Sequence, residues 1–111
     1  MENIVEKISS CHNIYLKCCD LKKEMINLIL NNKKYLNRIY FNQNGYTYGI
    51  RHIKGRRMYL NVVGYCHVEF LKKWDVDIDY FELSALFQIV NLIKSNIEHS
   101  ELQQIIKKNN L

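Results

Sequence analysis

Cationic and aromatic side chains alternate between positions 38 and 59, and these are the residues of the chain best suited to chemistry. Arginines and lysines neutralise phosphates, and tyrosine rings take unstacked bases, so their combination is typical of nucleic-acid surfaces. A plain structural role is the alternative, because tyrosine is a common strand residue and charge keeps a sheet face soluble and its edges unpaired. The residues concerned are Arg38, Tyr40, Tyr46, Tyr48, Arg51, Lys54, Arg56, Arg57 and Tyr59.

Three pairs of residues contain the thiols and imidazoles that zinc prefers. They are Cys11-His12, Cys18-Cys19 and Cys66-His67. Structural zinc sites normally take two cysteines from a CxxC turn, and the sequence has no such turn. We therefore interpret the cysteines as small buried apolar residues with reduced thiols, and we predict neither a metal site nor a cofactor.

Three aspartates alternate along the chain at Asp75, Asp77 and Asp79. Carboxylate oxygens at this spacing could hold Mg²⁺ or Ca²⁺, but the segment lacks the glycine and the distal glutamate of a calcium loop. Acidic residues are favourable in the first turn of a helix, where they meet the positive end of its dipole. We therefore interpret the aspartates as the lead into a second helix.

A catalytic signature is not recognisable in this sequence. It contains neither a phosphate-binding glycine loop nor an HExxH helix, and no serine or cysteine nucleophile lies in a known turn. Cys66 and His67 are neighbours on a predicted strand, so they should point to opposite faces and cannot hydrogen-bond to each other. We predict that the protein is not an enzyme.

The cationic and aromatic residues belong to a predicted antiparallel sheet that spans about residues 36–70. Strands are predicted at 36–41, 46–53 and 57–63, with turns at Asn44-Gly45 and Lys54-Gly55. Gly64 predicts either a bulge or a turn into a short fourth segment at 65–70. Alternation places Tyr46, Tyr48, Ile50 and His52 on one face of the second strand, and it points Met58, Leu60 and Val62 into the core.

Helical periodicity flanks the sheet on both sides. Apolar residues recur every three or four positions from Glu2 to about Asn32, which predicts one long amphipathic helix. A second helix follows Trp74, and Ser100 with Gln103 resembles a capping box that opens a short last helix. The sequence therefore predicts a single α+β domain over residues 1–111, in which the helices pack on one face of a three- to four-stranded sheet.

The positive charge is concentrated in the sheet. The chain of 111 residues has a net charge of +5, and residues 33–73 hold nine lysines and arginines against the single acid Glu69. Neither a membrane span nor a signal segment is evident, so we expect a cytoplasmic protein. The absence of proline and the abundance of Asn, Ile, Lys and Tyr are typical of AT-rich genes, which include those of viruses, phages and mobile elements.

Two hypotheses of function follow from these patterns. The first is a small basic binding module that engages nucleic acid or a nucleoprotein complex through Arg38, Tyr46, Tyr48, Arg51, Lys54, Arg56, Arg57 and Tyr59. The second is an inhibitor or adaptor, for example one that blocks a host defence complex, in which the same residues contact an acidic protein surface. A homodimer through Cys11, Tyr15, Cys18, Met25 and Ile29 of the first helix is a third arrangement. Arginine and tyrosine suit DNA, RNA and protein partners alike.

Overall fold

The computed structural model describes residues 4–65 and 68–109, with side chains over 16–64 and 72–109. Within these residues the fold is α+β, as predicted. Helix α1 spans Ile4–Leu30 and helix α2 spans Leu83–Lys108. Strands β1 (Tyr40–Gln43), β2 (Tyr46–Lys54), β3 (Arg57–Tyr65) and β4 (Val68–Asp77) form an antiparallel sheet in chain order. Short 3₁₀ turns occur at Lys33–Tyr35 and Ile78–Tyr80.

The first predicted turn forms where expected, and the second forms at Gly55-Arg56, one residue later than the predicted Lys54-Gly55. Asn44 and Gly45 have φ angles of 54° and 81°, the positive values that a two-residue hairpin turn requires, and they join β1 to β2. Gly55 has a φ of 61° in the turn between β2 and β3. Because the side chain of Asn tolerates this backbone region and Gly has none to obstruct it, the local sequence determines both turns.

The core lies between the two helices and one face of the sheet. Met58, Leu60 and Val62 of β3 are buried, as alternation predicts. They belong to the same apolar cluster as residues of α1 (Met25, Ile26, Ile29) and α2 (Ala85, Leu86, Ile89, Val90, Ile93). Both helices therefore cover the same sheet face, which we call the helix face; the opposite one is the outer face. None of the helices in the described residues is apolar over enough of its length to cross a membrane.

A bulge at Arg51 reverses the predicted alternation in the second half of β2. Ile50 pairs with Leu60 and His52 pairs with Tyr59, so Arg51 has no opposite residue on β3. Beyond the bulge, Ile53 lies opposite the buried Met58 on the helix face, and His52 lies on the outer face. The predicted grouping of His52 with Tyr48 is therefore wrong, because one extra residue shifts a strand's side chains to the other face.

The region after the third strand differs most from the prediction. Strand β4 extends to Asp77, so Asp75 and Asp77 belong to the sheet and do not lead a helix. Trp74 and Val76 are half-buried and their neighbours are exposed. This alternation has the two-residue period of a strand. The first predicted strand also differs, because β1 begins only at Tyr40 and the preceding residues form a turn.

The C-terminal residues form one helix where two were predicted. Helix α2 is continuous through Ser100 and Gln103, which therefore do not act as a capping box. Residues 97–103 contain neither glycine nor proline, so nothing in the chain interrupts the helical hydrogen bonds there. The predicted end of α1 at Asn31-Asn32 is confirmed, and the Asn32 side-chain amide donates a 2.7 Å hydrogen bond to the carbonyl of Leu28.

Candidate nucleic-acid interface

The eight predicted binding residues do not share one surface. Four of them belong to the outer face: Arg51, Lys54, Arg57 and Tyr59. Lys54 follows Ile53, and Arg57 and Tyr59 flank Met58, so these three point away from the helix face, and Arg51 lies in the bulge. Tyr46 and Tyr48 are on the helix face. Arg56 lies in the β2–β3 turn, and Arg38 precedes β1. A strand sends neighbouring side chains to opposite faces, so a cluster in the sequence becomes two surfaces in the fold.

A stack of two rings lies on the outer face where β2 pairs with β3, near the β2–β3 turn. The imidazole of His52 and the ring of Tyr59 have centroids 4.4 Å apart and planes only 13° from parallel. The guanidinium of Arg51 lies 5.9 Å from the Tyr59 centroid, in range of a cation–π contact. The bulge produces this arrangement, because it moves His52 onto the outer face opposite Tyr59 and leaves Arg51 beside them.

Tyr40 adds a second exposed ring to the outer face. It pairs with Gly49 across β1 and β2, and its ring lies so close that a Cβ on Gly49 would be 2.9 Å from the Tyr40 Cε1. The Tyr40 side chain is 55% exposed. In the sequence, Tyr40 is among the tyrosines that alternate with cations, but it is not one of the predicted binding residues. The signal that identifies Tyr40 is a large ring opposite a glycine on the neighbouring strand.

The charges of the outer face are unequally distributed across the sheet. Arg51 and Lys54 on β2 and Lys73 on β4 are exposed, and none has an ion-pair partner among the described side chains. Arg57, in contrast, lies 2.6 Å from the carboxylate of Asp75. Because Asp75 and Asp77 pair with Tyr59 and Arg57, they place negative charge along one part of β4. Sequence reasoning missed His52 and Lys73 as members of this face.

Arg56 has a structural partner. Its guanidinium donates two hydrogen bonds to Asp79, at 2.6 and 2.8 Å, and these bonds lower the pKa of the Asp79 carboxyl. The Lys22 ammonium of α1 donates a 2.6 Å hydrogen bond to the backbone carbonyl of Asp79. The Asp77 carboxylate accepts the backbone N–H of Asp79 at 2.8 Å. Arg56 therefore helps to fix the turn before α2, which makes it a weaker candidate for phosphate contact.

Arg38 is separate from the other predicted cations. It has a φ of 59° and lines a cavity beside α2 together with Lys34, Asn96 and His99. The Asn96 side-chain amide donates a 2.7 Å hydrogen bond to the carbonyl of Tyr35 and so holds this turn against the helix. Arg38 is consequently not part of the outer face.

The zinc and dimer hypotheses fall partly outside the described residues. The Cys66-His67 pair and the side chains of Cys11 and Tyr15 are not described. Cys18 and Cys19 are half-buried with free thiols. Met25 and Ile29 of the proposed dimer seam are buried in the core, which accounts for the helical stripe without a second copy.

Comparisons with protein families, with curated proteins and with solved structures find no match to this chain. The indications of function lie in the surfaces of the fold itself. Two of them combine aromatic rings with positive charge: the outer face around Tyr59, and a cavity on the helix face that contains Tyr46 and Tyr48.

Proposed function

We propose that this protein binds single-stranded nucleic acid on the outer face of its sheet. The observation that carries the proposal is the His52–Tyr59 stack with Arg51 beside it, on a face that the helices leave uncovered. Tyr40 supplies a second ring, and Lys54 and Lys73 supply further exposed cations. Stacking on aromatic rings and contact between cations and phosphates are the two interactions that single strands use without sequence preference.

The shape of the surface favours single strands over duplexes. Duplex DNA is read by elements that enter a groove, usually a helix or a two-stranded ribbon, whereas a sheet face presents a broad platform. An aromatic ring can stack only on a base that is not already stacked on its neighbours within a duplex. The exposed ring of Tyr40 and the His52–Tyr59 stack therefore suit bases that are splayed out of a single strand.

The charge distribution suggests a path for the phosphates. Asp77 on β4 would repel a phosphate and the Arg57–Asp75 ion pair offers no net charge, whereas Arg51 and Lys54 on β2 would attract one. Lys73 lies in the row of residues that continues from Tyr40 through Gly49 and Asn61 across the sheet. The backbone of a bound strand is therefore expected to follow β2, with its bases on the rings of Tyr40 and Tyr59.

Fluorescence anisotropy with labelled random oligonucleotides, single- and double-stranded, tests the proposal. We expect binding of single strands whose affinity falls steeply with salt, because each neutralised phosphate releases counterions. Arg51→Gln should lower the slope of log K against log salt by roughly 0.7, the value for one phosphate contact to a single strand. The matched control is Lys94→Gln, which removes one exposed charge from α2 and should leave the slope unchanged.

Absence of binding at low salt, or binding that salt does not weaken, would reject the proposal. The alternative of a protein partner on the same face would then be tested by a pull-down in which Arg51→Gln and wild type are compared. Equal effects of Arg51→Gln and Lys94→Gln would show that only the net charge matters and would also reject the outer face as the site.

A further inference from the structure

An aromatic cavity of about 370 Å³ opens on the helix face, next to the β1–β2 turn. Its walls include the rings of Tyr46, Tyr48, Trp74 and Tyr80, together with the side chains of Gln43 and Lys72. Lys72 lies opposite Val62 and Trp74 lies opposite Leu60, so strand register places both on this face. The cavity is therefore on the opposite side of the sheet from the His52–Tyr59 stack.

The rings form a continuous, already packed wall. Tyr48 and Trp74 have centroids 5.4 Å apart, and Tyr46 is 6.1 Å from Tyr48. Tyr80 meets Trp74 edge to face, with centroids 5.7 Å apart and planes at 86°. These distances are those of rings in contact, so a ligand ring would lie against the open side of the wall and not between its members. The right angle between Trp74 and Tyr80 forms a corner that suits a flat ring.

Hydrogen-bonding groups face the same space. Gln43 is only 5% exposed, and its Oε1 accepts the Glu82 backbone N–H at 3.1 Å. The same side-chain amide carries an Nε2 donor group, and Gln43 lines the cavity. Burial raises the pKa of the Tyr48 hydroxyl, and the neighbouring Tyr46 and Tyr80 raise it further. Tyr48 is therefore a neutral hydroxyl at physiological pH.

Lys72 determines the charge that the cavity accepts. It is exposed at the rim and is the only charged side chain among the described residues that line the space. Aromatic cavities also bind cations through the faces of their rings. A cation would be repelled here by Lys72 and would find no carboxylate among the described lining residues, so the charge favours an anionic ligand.

We infer that this cavity binds a nucleotide, with the base against the aromatic wall and the phosphate on Lys72. The Gln43 amide is placed to donate to an acceptor on the base edge, and the Tyr48 hydroxyl can donate or accept there. The site is independent of the proposed function, because it shares no residue with the outer face. A free nucleotide and a nucleotide within a strand present the same chemistry, and the test distinguishes them.

Trp74 is the only tryptophan in the chain, so its fluorescence reports on this cavity directly. We expect saturable quenching of Trp74 fluorescence by nucleoside monophosphates and weaker quenching by the nucleosides. Ribose phosphate, which lacks the aromatic base, should not quench. Lys72→Gln should raise the Kd of the monophosphates by about tenfold, the effect of losing one hydrogen bond to a charged group, and leave that of the nucleosides unchanged. Lys94→Gln is the control for loss of charge.

Lys73→Gln separates the two sites. Lys73 follows Lys72 in the chain but lies on the outer face, so this substitution should weaken oligonucleotide binding and leave mononucleotide binding as it is in wild type. Binding of free monophosphates identifies them as ligands. Quenching by oligonucleotides alone, lost in Lys72→Gln, identifies a nucleotide within a strand.

Calorimetry with the same monophosphates and oligonucleotides would detect binding that leaves the fluorescence of Trp74 unchanged. No binding by either method would overturn the inference. Equal binding of ribose phosphate would overturn it as well, and so would the same Kd in Lys72→Gln and wild type. Each of these results is independent of the anisotropy experiment on the outer face, so either site can fail while the other stands.

Discussion

The guanidinium of Arg56 and the carboxylate of Asp79 form a two-point contact, with N–O distances of 2.6 and 2.8 Å, that ties the β2–β3 turn to the 3₁₀ turn before α2. The backbone supports the same junction, because the Ile78 N–H donates a 2.8 Å hydrogen bond to the carbonyl of Arg56. Tyr80 follows immediately and forms one wall of the aromatic cavity. The ion pair thus helps to set the position of a cavity residue from outside the cavity.

This pair should make stability depend on pH in the acid range. The hydrogen bond from Arg56 is the main cause that lowers the pKa of Asp79 in the folded protein. A lowered pKa means that the stabilisation is complete above the ordinary pKa of an aspartate and is lost as the pH falls through the lowered value. Urea unfolding of wild type should therefore show a larger acid loss of stability than unfolding of Asp79→Asn.

Arg56→Gln is the matched variant for this experiment. It removes the main cause of the lowered pKa and leaves the carboxylate, so it should move the acid dependence most of the way toward that of Asp79→Asn, and the double variant should match Asp79→Asn. Identical pH profiles for wild type and the three variants would show that the contact contributes nothing to stability in solution.

Gly49→Ala should change the outer face without unfolding the protein. The new Cβ would be 2.9 Å from Tyr40 Cε1, so the Tyr40 ring must shift away from residue 49. Alanine is favoured over glycine in a strand by roughly 0.5–1 kcal/mol, which offsets the repacking of an exposed ring, and we expect a change in stability within about 1 kcal/mol. Oligonucleotide affinity should fall toward that of Tyr40→Ala. No further loss is expected when both substitutions are combined.

Gln88 closes the free edge of β1, and its removal should expose that edge. Its side-chain amide accepts the Asn42 N–H and donates to the Asn42 carbonyl, both at 2.9 Å, as a neighbouring strand would. Gln88→Ala should cost about 1–3 kcal/mol of stability through the loss of these bonds. Hydrogen exchange at the Asn42 amide should accelerate, and aggregation should increase, because an open edge recruits other chains. Unchanged exchange at Asn42 would contradict this role.

Local patterns predicted the parts of the fold that depend on neighbouring residues. Asn44-Gly45 determines its own turn through backbone preference, and Met58, Leu60 and Val62 identify the core by simple alternation. The long first helix and the α+β class follow from periodicity in the same way.

The errors arise where distant residues decide the structure. Asp75 and Asp77 match the start of a helix, but pairing with Tyr59 and Arg57 makes them part of a strand. The bulge at Arg51 has no signal in β2 alone, because it depends on how Leu60 and Tyr59 align from β3. Trp74 and Tyr80 come from different elements, so only the fold brings them to one cavity with Tyr48.

The same bulge has a consequence for chain length. If Arg51 were deleted, Ile50 and His52 would follow each other with their partners Leu60 and Tyr59 already adjacent, and every other side chain of β2 would keep its face. We expect the chain without Arg51 to fold with wild-type stability and to lose oligonucleotide affinity. Two-dimensional NMR that showed widespread shifts in the core would contradict the expectation. Arg51 is in effect an insertion into an otherwise complete hairpin, which could acquire or lose this cation in one genetic step without rebuilding its interior.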